Sequence, residues 1–287
     1  MNYQKISGFS DEITEVTKEQ FEALGKLGIS YFEPRGIDGT NISKLTEEEM
    51  HALKTLMDEY KIKVSSIGSP IGKIKVTDDF ESHFEVLKNV VKAAKILGTK
   101  YIRVFSFYHE KYAEWTEEER AEVFRRMQIM IDYAKEQDVV LLHENEKHIY
   151  GDTADRCLEL MEAFYGPNFK AIFDPANFVQ CKEDTKRAYE MLKPYITYMH
   201  IKDAMLADES VVPAGYGDGN VEYILKDLFA NGYEGFLSLE PHLGNFKGFA
   251  DLEIDAIEKT KLSHSVYGGE QAFALAHNSL LAILERI

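Results

Sequence analysis

The feature that most constrains this chain is a regular alternation of short apolar segments with longer amphipathic ones, repeated eight times. The predicted strands are Lys5–Phe9, Tyr31–Glu33, Lys63–Ile67, Tyr101–Phe105, Val139–His143, Ala171–Phe173, Tyr198–Ile201 and Phe236–Leu239. The predicted helices are Thr17–Leu27, Thr46–Tyr60, Asp79–Leu97, Thr116–Gln137, Thr153–Phe164, Asp184–Leu192, Val221–Ala230 and Gly268–Ile287. Eight strand-then-helix units with right-handed crossovers form an open doubly wound sheet or a closed barrel. The count of eight favours the α/β class and a (β/α)8 TIM barrel.

Local signals for helix ends agree with these boundaries. Two pairs have the spacing of a capping box: Thr46 with Glu49, and Thr116 with Glu119. In a capping box, the side chain of each residue accepts a hydrogen bond from the backbone N–H group of the other. Glycine follows three helical segments, as expected for residues just past a helix C-terminus: Gly28, Gly98 and Gly232. No Pro-, Ser- or Gly-rich linker divides the 287 residues, so we expect residues 1–287 to form a single domain.

Composition excludes several classes of protein. With 45% hydrophobic residues the chain can bury a large core, and its net charge of −16 disfavours nucleic acid and anionic membranes as partners. Two cysteines, Cys157 and Cys181, are too few for a disulfide framework. The N-terminus lacks the apolar stretch of a signal peptide, and no segment is long enough to span a bilayer. We therefore expect a soluble cytoplasmic protein, and the sequence leaves open whether it forms a homo-oligomer.

Four consecutive predicted strands end in side chains that bind metals. They are Glu144, Asp174, His200 and Glu240, separated by 30, 26 and 40 residues, each close to one strand-helix unit. Barrels place their chemistry at the carboxyl ends of the strands, so these side chains can converge. Three carboxylates and an imidazole suit a divalent ion such as Mn, Mg, Zn, Co or Fe(II).

Electrostatics supports the metal interpretation. Each pair of carboxylates ~4 Å apart repels by about 4 kcal/mol at an effective dielectric near 20, so three pairs cost about 12 kcal/mol without a compensating charge. The alternative is that each residue is only a locally hydrogen-bonded strand end. Because strand ends are uncertain by two residues or more, Glu146 could replace Glu144 in the set.

Further polar residues near the predicted strand ends are candidates for substrate contact. Glu33 and Arg35 close the second strand and Arg103 lies in the fourth, where a buried ion pair across the barrel is the alternative. His109, His148 and His242 follow strands or lie in the loops after them, and Lys202 comes just after His200. The segment Gly68–Thr77, with Phe107, Tyr108 and Trp115, could form a lid. The loop Gly215–Gly219 could receive a phosphate but matches no P-loop pattern, so we expect plain turn geometry.

Several motifs resemble those of one family over nearly the whole chain. The motifs are Tyr31–Gly39, Glu144-Asn145, Asp174-Pro175, His200–Asp203, Pro213–Gly219, Leu239-Glu240 and Gly268–Phe273. They resemble the sugar phosphate isomerase/epimerase group of xylose isomerase-like TIM barrels. The resemblance implies one divalent metal ion held by Glu144, Asp174, His200 and Glu240, with Glu144 and Glu240 also exchanging protons with the substrate. Asn177 is a departure, since ketose 3-epimerases of this group tend to have His at that position.

The expected chemistry is proton removal next to a metal-bound carbonyl, with Lys202 stabilising the resulting oxyanion or binding an anionic substituent. The substrate would be a small carbohydrate, and Lys202, Asn177, His148, Arg103, His242 and Glu33 are the expected substrate-binding residues. A metal-dependent dehydratase acting on a sugar, inositol or shikimate-like acid is the nearest alternative. A non-catalytic sugar-binding protein and an endonuclease IV-like nuclease are less consistent with the paired glutamates and the net charge.

Overall fold

The computed structural model describes residues 3–111, 114–243 and 268–287. The strands are β1 (Ile6–Gly8), β2 (Tyr31–Phe32), β3 (Gly36–Ile37), β4 (Thr40–Asn41), β5 (Lys63–Val64), β6 (Tyr101–Val104), β7 (Val140–Glu144), β8 (Phe169–Phe173), β9 (Ile196–Ile201), β10 (Asp203–Ala204), β11 (Val211–Val212) and β12 (Phe236–Leu239). The helices are α1 (Thr17–Lys26), α2 (Glu47–Tyr60), α3 (Phe80–Leu97), α4 (Glu117–Glu136), α5 (Ala154–Phe164), α6 (Pro175–Gln180), α7 (Thr185–Leu192), α8 (Val221–Ala230) and α9 (Gly269–Arg286). Short 3₁₀ turns occupy Ser10–Glu12, Ile42–Lys44, Tyr150–Asp152 and Lys193–Tyr195.

Eight parallel strands close into a barrel. Six of them form one continuous sheet in the order β1-β12-β9-β8-β7-β6. The other two, β2 and β5, pair with each other. Glu33 N donates to Gly8 O at 2.9 Å on one side of this pair, and Ile67 bridges to Ile102 on the other. These contacts complete the ring, so the expected TIM barrel is confirmed.

The helices form for the local reasons that the sequence indicates. Both capping boxes are present, with Thr46 and Thr116 each accepting from the N–H group three residues on. Gly98 ends α3 with a φ of +83°, which a residue with a side chain adopts only with strain. The apolar face of α3 packs on the barrel, and Leu87 and Val90 have no exposed surface.

Several strand boundaries differ from the sequence prediction by one to three residues, and three short elements were not predicted. Strand β7 extends to Glu144, one residue further than predicted, so Glu144 is held by the sheet. The six-residue helix α6 was not predicted; Asp174 caps it and Pro175 occupies its first turn. The hairpins β3–β4 and β10–β11 have strands of two residues each, too short to show alternation.

Among the helices that the structure describes, none has the length and apolar character needed to cross a membrane.

The glycine-rich loop 215–219 folds around the side chain of Asp203. The Asp203 carboxylate accepts hydrogen bonds from the N–H groups of Gly215, Gly217 and Gly219 at 2.9, 3.0 and 2.8 Å. A Cβ atom at position 217 would overlap this carboxylate, which explains the glycine there. Because the chain's own carboxylate occupies these donors, the turn role is confirmed and the loop does not present them to a phosphate.

Candidate functional site

Four neighbouring strands bring the predicted metal-binding side chains together at the carboxyl end of the barrel. Glu144 ends β7, Asp174 follows β8, His200 lies in β9 and Glu240 follows β12. Each offers a ligand atom within 4.8 Å of the others. The exposed fractions are 1% for Glu144, 0% for Asp174 and His200, and 4% for Glu240. We refer to these four residues as the carboxylate–His cluster.

The donor set of this cluster fits a divalent cation. His200 Nδ1 lies 2.7 Å from Glu144 Oε1 and 3.7 Å from Glu240 Oε2. Lys202 Nζ lies 2.9 Å from Asp174 Oδ2 and 2.8 Å from Glu240 Oε2. The Lys202–Asp174 contact has ion-pair distance but not hydrogen-bond geometry, and Asp174 Oδ2 accepts no hydrogen bond from a described residue. A buried carboxylate oxygen of this kind, beside two further carboxylates and an imidazole nitrogen, is chemically suited to a metal ion.

The charged groups of the cluster lie close together, and this proximity shifts their pKa values. Burial opposes charge on His200, but the carboxylates of Glu144 and Glu33 outweigh it and raise the pKa of His200 to about 10. Burial raises the pKa of Asp174 to about 7, against the opposing charge of Lys202. Burial also acts on Glu240, but Lys202 and His242 hold its pKa well below the ordinary value. Glu240 is therefore ionised and can accept a proton.

Two asparagines hold the strand ends in place. Asn145 donates from Nδ2 to the Asp174 carbonyl and accepts from Asp174 N, both at 2.9 Å, which ties the end of β7 to the end of β8. Asn177 donates to Glu144 Oε1 at 3.4 Å and to the Asn145 carbonyl at 2.9 Å. The sequence indicates Asn145 only as the start of a loop, because its role depends on a partner 29 residues away.

Glu33 lies behind His200 and has no exposed surface. Its Oε2 atom accepts from Tyr198 Oη and Ser238 Oγ, both at 2.7 Å, and lies 3.3 Å from His200 Nε2. This contact on Nε2 leaves Nδ1 of His200 facing the cluster. Glu33 is thus placed to support the imidazole from behind, and its expected contact with substrate stays a prediction.

A small pocket reaches the cluster at Glu240. Its lining residues are Arg35, Lys73, Arg103, Glu146, Lys147, Asn177, Gln180, Lys202, Val211, Glu240 and His242. Of the expected substrate-binding residues, four line this pocket: Lys202, Asn177, Arg103 and His242. Arg35 also pairs with Asp11 and Glu12 at 2.9 and 3.2 Å, so the buried ion pair considered for this part of the barrel does occur, with different partners.

Two of the candidate histidines do not line the pocket. His109 is 6% exposed, lies 3.3 Å from Glu119 Oε1 and accepts from Lys111 N at Nδ1. His148 adopts a φ of +66° in the loop after β7, and its carbonyl accepts from His109 N. Neither residue is part of the pocket lining, and the expected contact of each with substrate stays a prediction.

The sequence patterns did not single out Lys73, Lys147 and Gln180. Glu146 was considered only as a replacement for Glu144, and it lines the pocket instead of joining the cluster. Lys73 falls within the predicted lid segment Gly68–Thr77, and its Nζ atom lies 3.0 Å from Glu146 Oε2. Lys73 and Lys202 outweigh the effect of burial and lower the pKa of Glu146 to about 2. The sequence around a loop lysine does not show where its side chain will lie, since that depends on how the loop folds over the barrel.

Comparison with known proteins agrees with the architecture. A family model described as xylose isomerase-like TIM barrel matches residues 21–260. A 3-dehydroshikimate dehydratase of Bacillus anthracis is 24% identical over 163 residues, which cover 57% of this chain and 56% of that protein. The match thus spans little more than half the length of that relative.

Solved structures show the same fold over almost the whole chain. The structure of an L-ribulose 3-epimerase superposes with a TM-score of 0.74 at 18% identity, covering 98% of this chain and 94% of that one. A xylose isomerase-like TIM barrel protein from Mycobacterium smegmatis, solved in complex with magnesium, has a TM-score of 0.69 at 14% identity and covers 99% and 98% of the two chains. At such identities the similarity shows the fold alone.

Proposed function

Because the chain belongs to the xylose isomerase-like TIM barrel family, we propose that it is a divalent-metal-dependent isomerase or epimerase of a sugar, sugar phosphate or related polyhydroxy carbonyl compound. The observation that carries this proposal is the carboxylate–His cluster, whose ligand atoms lie within 4.8 Å of one another and whose Glu240 lines a pocket. Glu144, Asp174, His200 and Glu240 would hold the ion. When bound, such an ion polarises a carbonyl group and makes the neighbouring C–H group more acidic.

The residues around the cluster have the properties that proton exchange requires. Glu240 lines the pocket, is ionised, and would accept the proton from carbon. Glu144 would return a proton from the other side of the substrate. Lys202 keeps its positive charge, because the surrounding carboxylates outweigh burial and raise its pKa well above the ordinary value. Its ammonium group would stabilise negative charge on a substrate oxygen.

A metal-dependent dehydratase is the second candidate. It begins with the same proton removal and then expels a hydroxyl group as water. Two observations favour it: Asn177, which contacts Glu144, replaces the His that ketose 3-epimerases tend to have, and a dehydratase is among the relatives. Measuring whether the product has lost the mass of water distinguishes the two reactions.

The test uses protein stripped with a chelator and reloaded with Mg²⁺ or Mn²⁺. Candidate ketoses, ketose phosphates and keto-inositols are incubated in heavy water, and C–H exchange is followed by NMR. We expect exchange only with metal, and its loss in Glu240→Gln and Glu144→Gln, whereas Glu59→Gln on the exposed face of α2 behaves as wild type. Full exchange without metal, or in both active-site variants, would contradict the proposal. A non-catalytic binding protein would show affinity for a sugar without exchange.

A further inference from the structure

The pocket that reaches the carboxylate–His cluster has an unusual charge for this protein. Among the described residues, five cationic side chains line it, from five separate parts of the barrel: Arg35, Lys73, Arg103, Lys147 and Lys202. Two carboxylates, those of Glu146 and Glu240, share this described lining. The chain as a whole carries a net charge of −16, so the cations here do not reflect a general excess.

Three of these cations contact carboxylates of the cluster itself. Arg35 is one of them, with Nη1 3.6 Å from Glu240 Oε1, and the other two lie closer. Arg103 Nη1 lies 3.2 Å from Glu144 Oε2, and Lys202 Nζ contacts Asp174 and Glu240 at 2.9 and 2.8 Å. Both cations are buried, with 4% of Arg103 and 5% of Lys202 exposed. The Nε atom of Arg103 is also buried and has no hydrogen-bond partner among the described residues.

A divalent ion at the cluster would compete for the same carboxylates. The carboxylates that neutralise Arg103 and Lys202 would then also neutralise the two positive charges of the ion, in a region with little access to water. A buried cation that lacks full compensation is unfavourable, so the loaded pocket favours a ligand that brings a negative group.

The position of Lys73 indicates where the negative group of the ligand would bind. The Nζ atom of Lys73 and the Cζ atom of Arg103 lie 4.5 and 5.0 Å from the centre of the Phe105 ring, so both cations contact the same aromatic ring. Lys73 pairs with Glu146 at 3.0 Å, but an ammonium group has three donors and this pair uses one of them. Lys73 and Arg103 both line the pocket and present positive charge to it.

We propose that the substrate carries an anionic group, a carboxylate or a phosphate, which Lys73 and Arg103 bind next to the metal. This inference rests on the proposed function, because it takes the carboxylate–His cluster as loaded with a divalent ion. The proposed substrate class is thereby narrowed from all polyhydroxy carbonyl compounds to those that carry a carboxylate or a phosphate ester.

The test compares three probes that share a six-carbon polyol chain: gluconate with a carboxylate, glucitol 6-phosphate with a phosphate, and neutral glucitol. Their affinities for Mg²⁺-loaded protein are measured by calorimetry, after the affinity for Mg²⁺ itself. We expect at least one anion to bind about tenfold or more tightly than glucitol, as one charge-assisted hydrogen bond can provide. The anionic probe that binds more tightly, gluconate or glucitol 6-phosphate, shows whether the site prefers a carboxylate or a phosphate.

The variant Lys73→Met separates an anion site from direct chelation of the metal. We expect it to remove the preference for the anion while the affinities for Mg²⁺ and glucitol stay unchanged. The matched control is Lys75→Met, two residues away, which removes a half-exposed lysine paired with Glu110 and should change nothing.

The possible failures are distinguishable. If neither Mg²⁺ nor Mn²⁺ binds, the proposed function fails and this inference with it; if only Mn²⁺ binds, the probes are compared on Mn²⁺-loaded protein. If Mg²⁺ binds but the three probes bind equally, neither anion binds, or Lys73→Met keeps the preference, the inference alone is overturned.

Discussion

At the scale of single residues, the orientation of His200 depends on Glu33. The carboxylate accepts two hydrogen bonds from Tyr198 and Ser238 and lies 3.3 Å from His200 Nε2, which keeps Nδ1 towards the other three ligands. A carboxylate behind a metal-binding imidazole also makes the ring a better ligand.

We predict that Glu33→Gln weakens the affinity for Mg²⁺ or Mn²⁺ by about 10- to 100-fold, the usual effect of losing such a partner. Calorimetric titration of the chelator-treated protein measures it, and the far-UV circular dichroism spectrum checks the fold. Glu59→Gln, on an exposed helix surface, is the control. An unchanged affinity in a folded Glu33→Gln protein would show that His200 needs no support from Glu33.

At the scale of elements, the segment between β5 and α3 is held closely against the end of β6. Phe105 N donates to Ile71 O at 2.7 Å, and Gly72 adopts a φ of +90°. A Cβ atom at Gly72 would overlap the Phe105 carbonyl. Lys73 follows at once, so this backbone geometry determines where a pocket residue lies.

We predict that Gly72→Ala destabilises the protein by about 3 kcal/mol, since it adds backbone strain to the overlap. Gly25→Ala is the matched control, because a Cβ atom there meets nothing and Gly25 lies within α1. It should stabilise by about 0.5–1 kcal/mol. Urea unfolding measures both, and equal effects of the two substitutions would contradict the interpretation.

The same segment is anchored by a neutral histidine. His83 Nε2 accepts a hydrogen bond from Gly72 N at 2.8 Å, and burial, with the nearby charge of Arg126, lowers the pKa of His83 to about 4. The unfolded chain binds this proton near pH 6.5, so the free energy of unfolding falls as the pH decreases from 6.5 towards 4.

We predict that His83 accounts for a loss of about 2 kcal/mol between pH 6.5 and pH 5. Urea midpoints for wild type and His83→Gln across this range test it, and the slope against pH should be shallower in the variant. His51→Gln, at an exposed position of α2, should keep the wild-type slope. Parallel slopes for all three proteins would exclude a role for His83.

At the scale of the whole molecule, the cluster joins four strands that are far apart in the chain. A metal that binds only the folded barrel stabilises it by about 2.7 kcal/mol at a concentration a hundredfold above its Kd. We predict a rise in Tm of about 5 °C under these conditions, reversed by a chelator and absent in Glu144→Gln and Glu240→Gln. Differential scanning calorimetry measures the shift. A Tm independent of metal in the wild type would contradict the assignment of the cluster.

The barrel was predictable because its elements are local. Alternation of strand and helix patterns, capping boxes such as that of Thr46, and Gly98 each depend on a few neighbouring residues. The convergence of the four cluster residues follows from one rule, that strand ends share one face of a barrel. The supporting role of Glu33 and the position of Lys73 were not predictable, because both depend on partners distant in the chain or on a loop with no repeating pattern.

The continuity of the sheet differs between the two sides of the barrel. The strands that carry the cluster, β7, β8, β9 and β12, lie within the uninterrupted six-stranded sheet, whereas β2 and β5 join it through isolated bonds. Arg35 and Lys73 belong to this less continuous side. Residues 34–79 thus reach the pocket but contribute none of the four residues of the cluster. Positions in this range whose backbone geometry is not fixed, as that of Gly72 is, are therefore the ones to vary when altered substrate selectivity is sought.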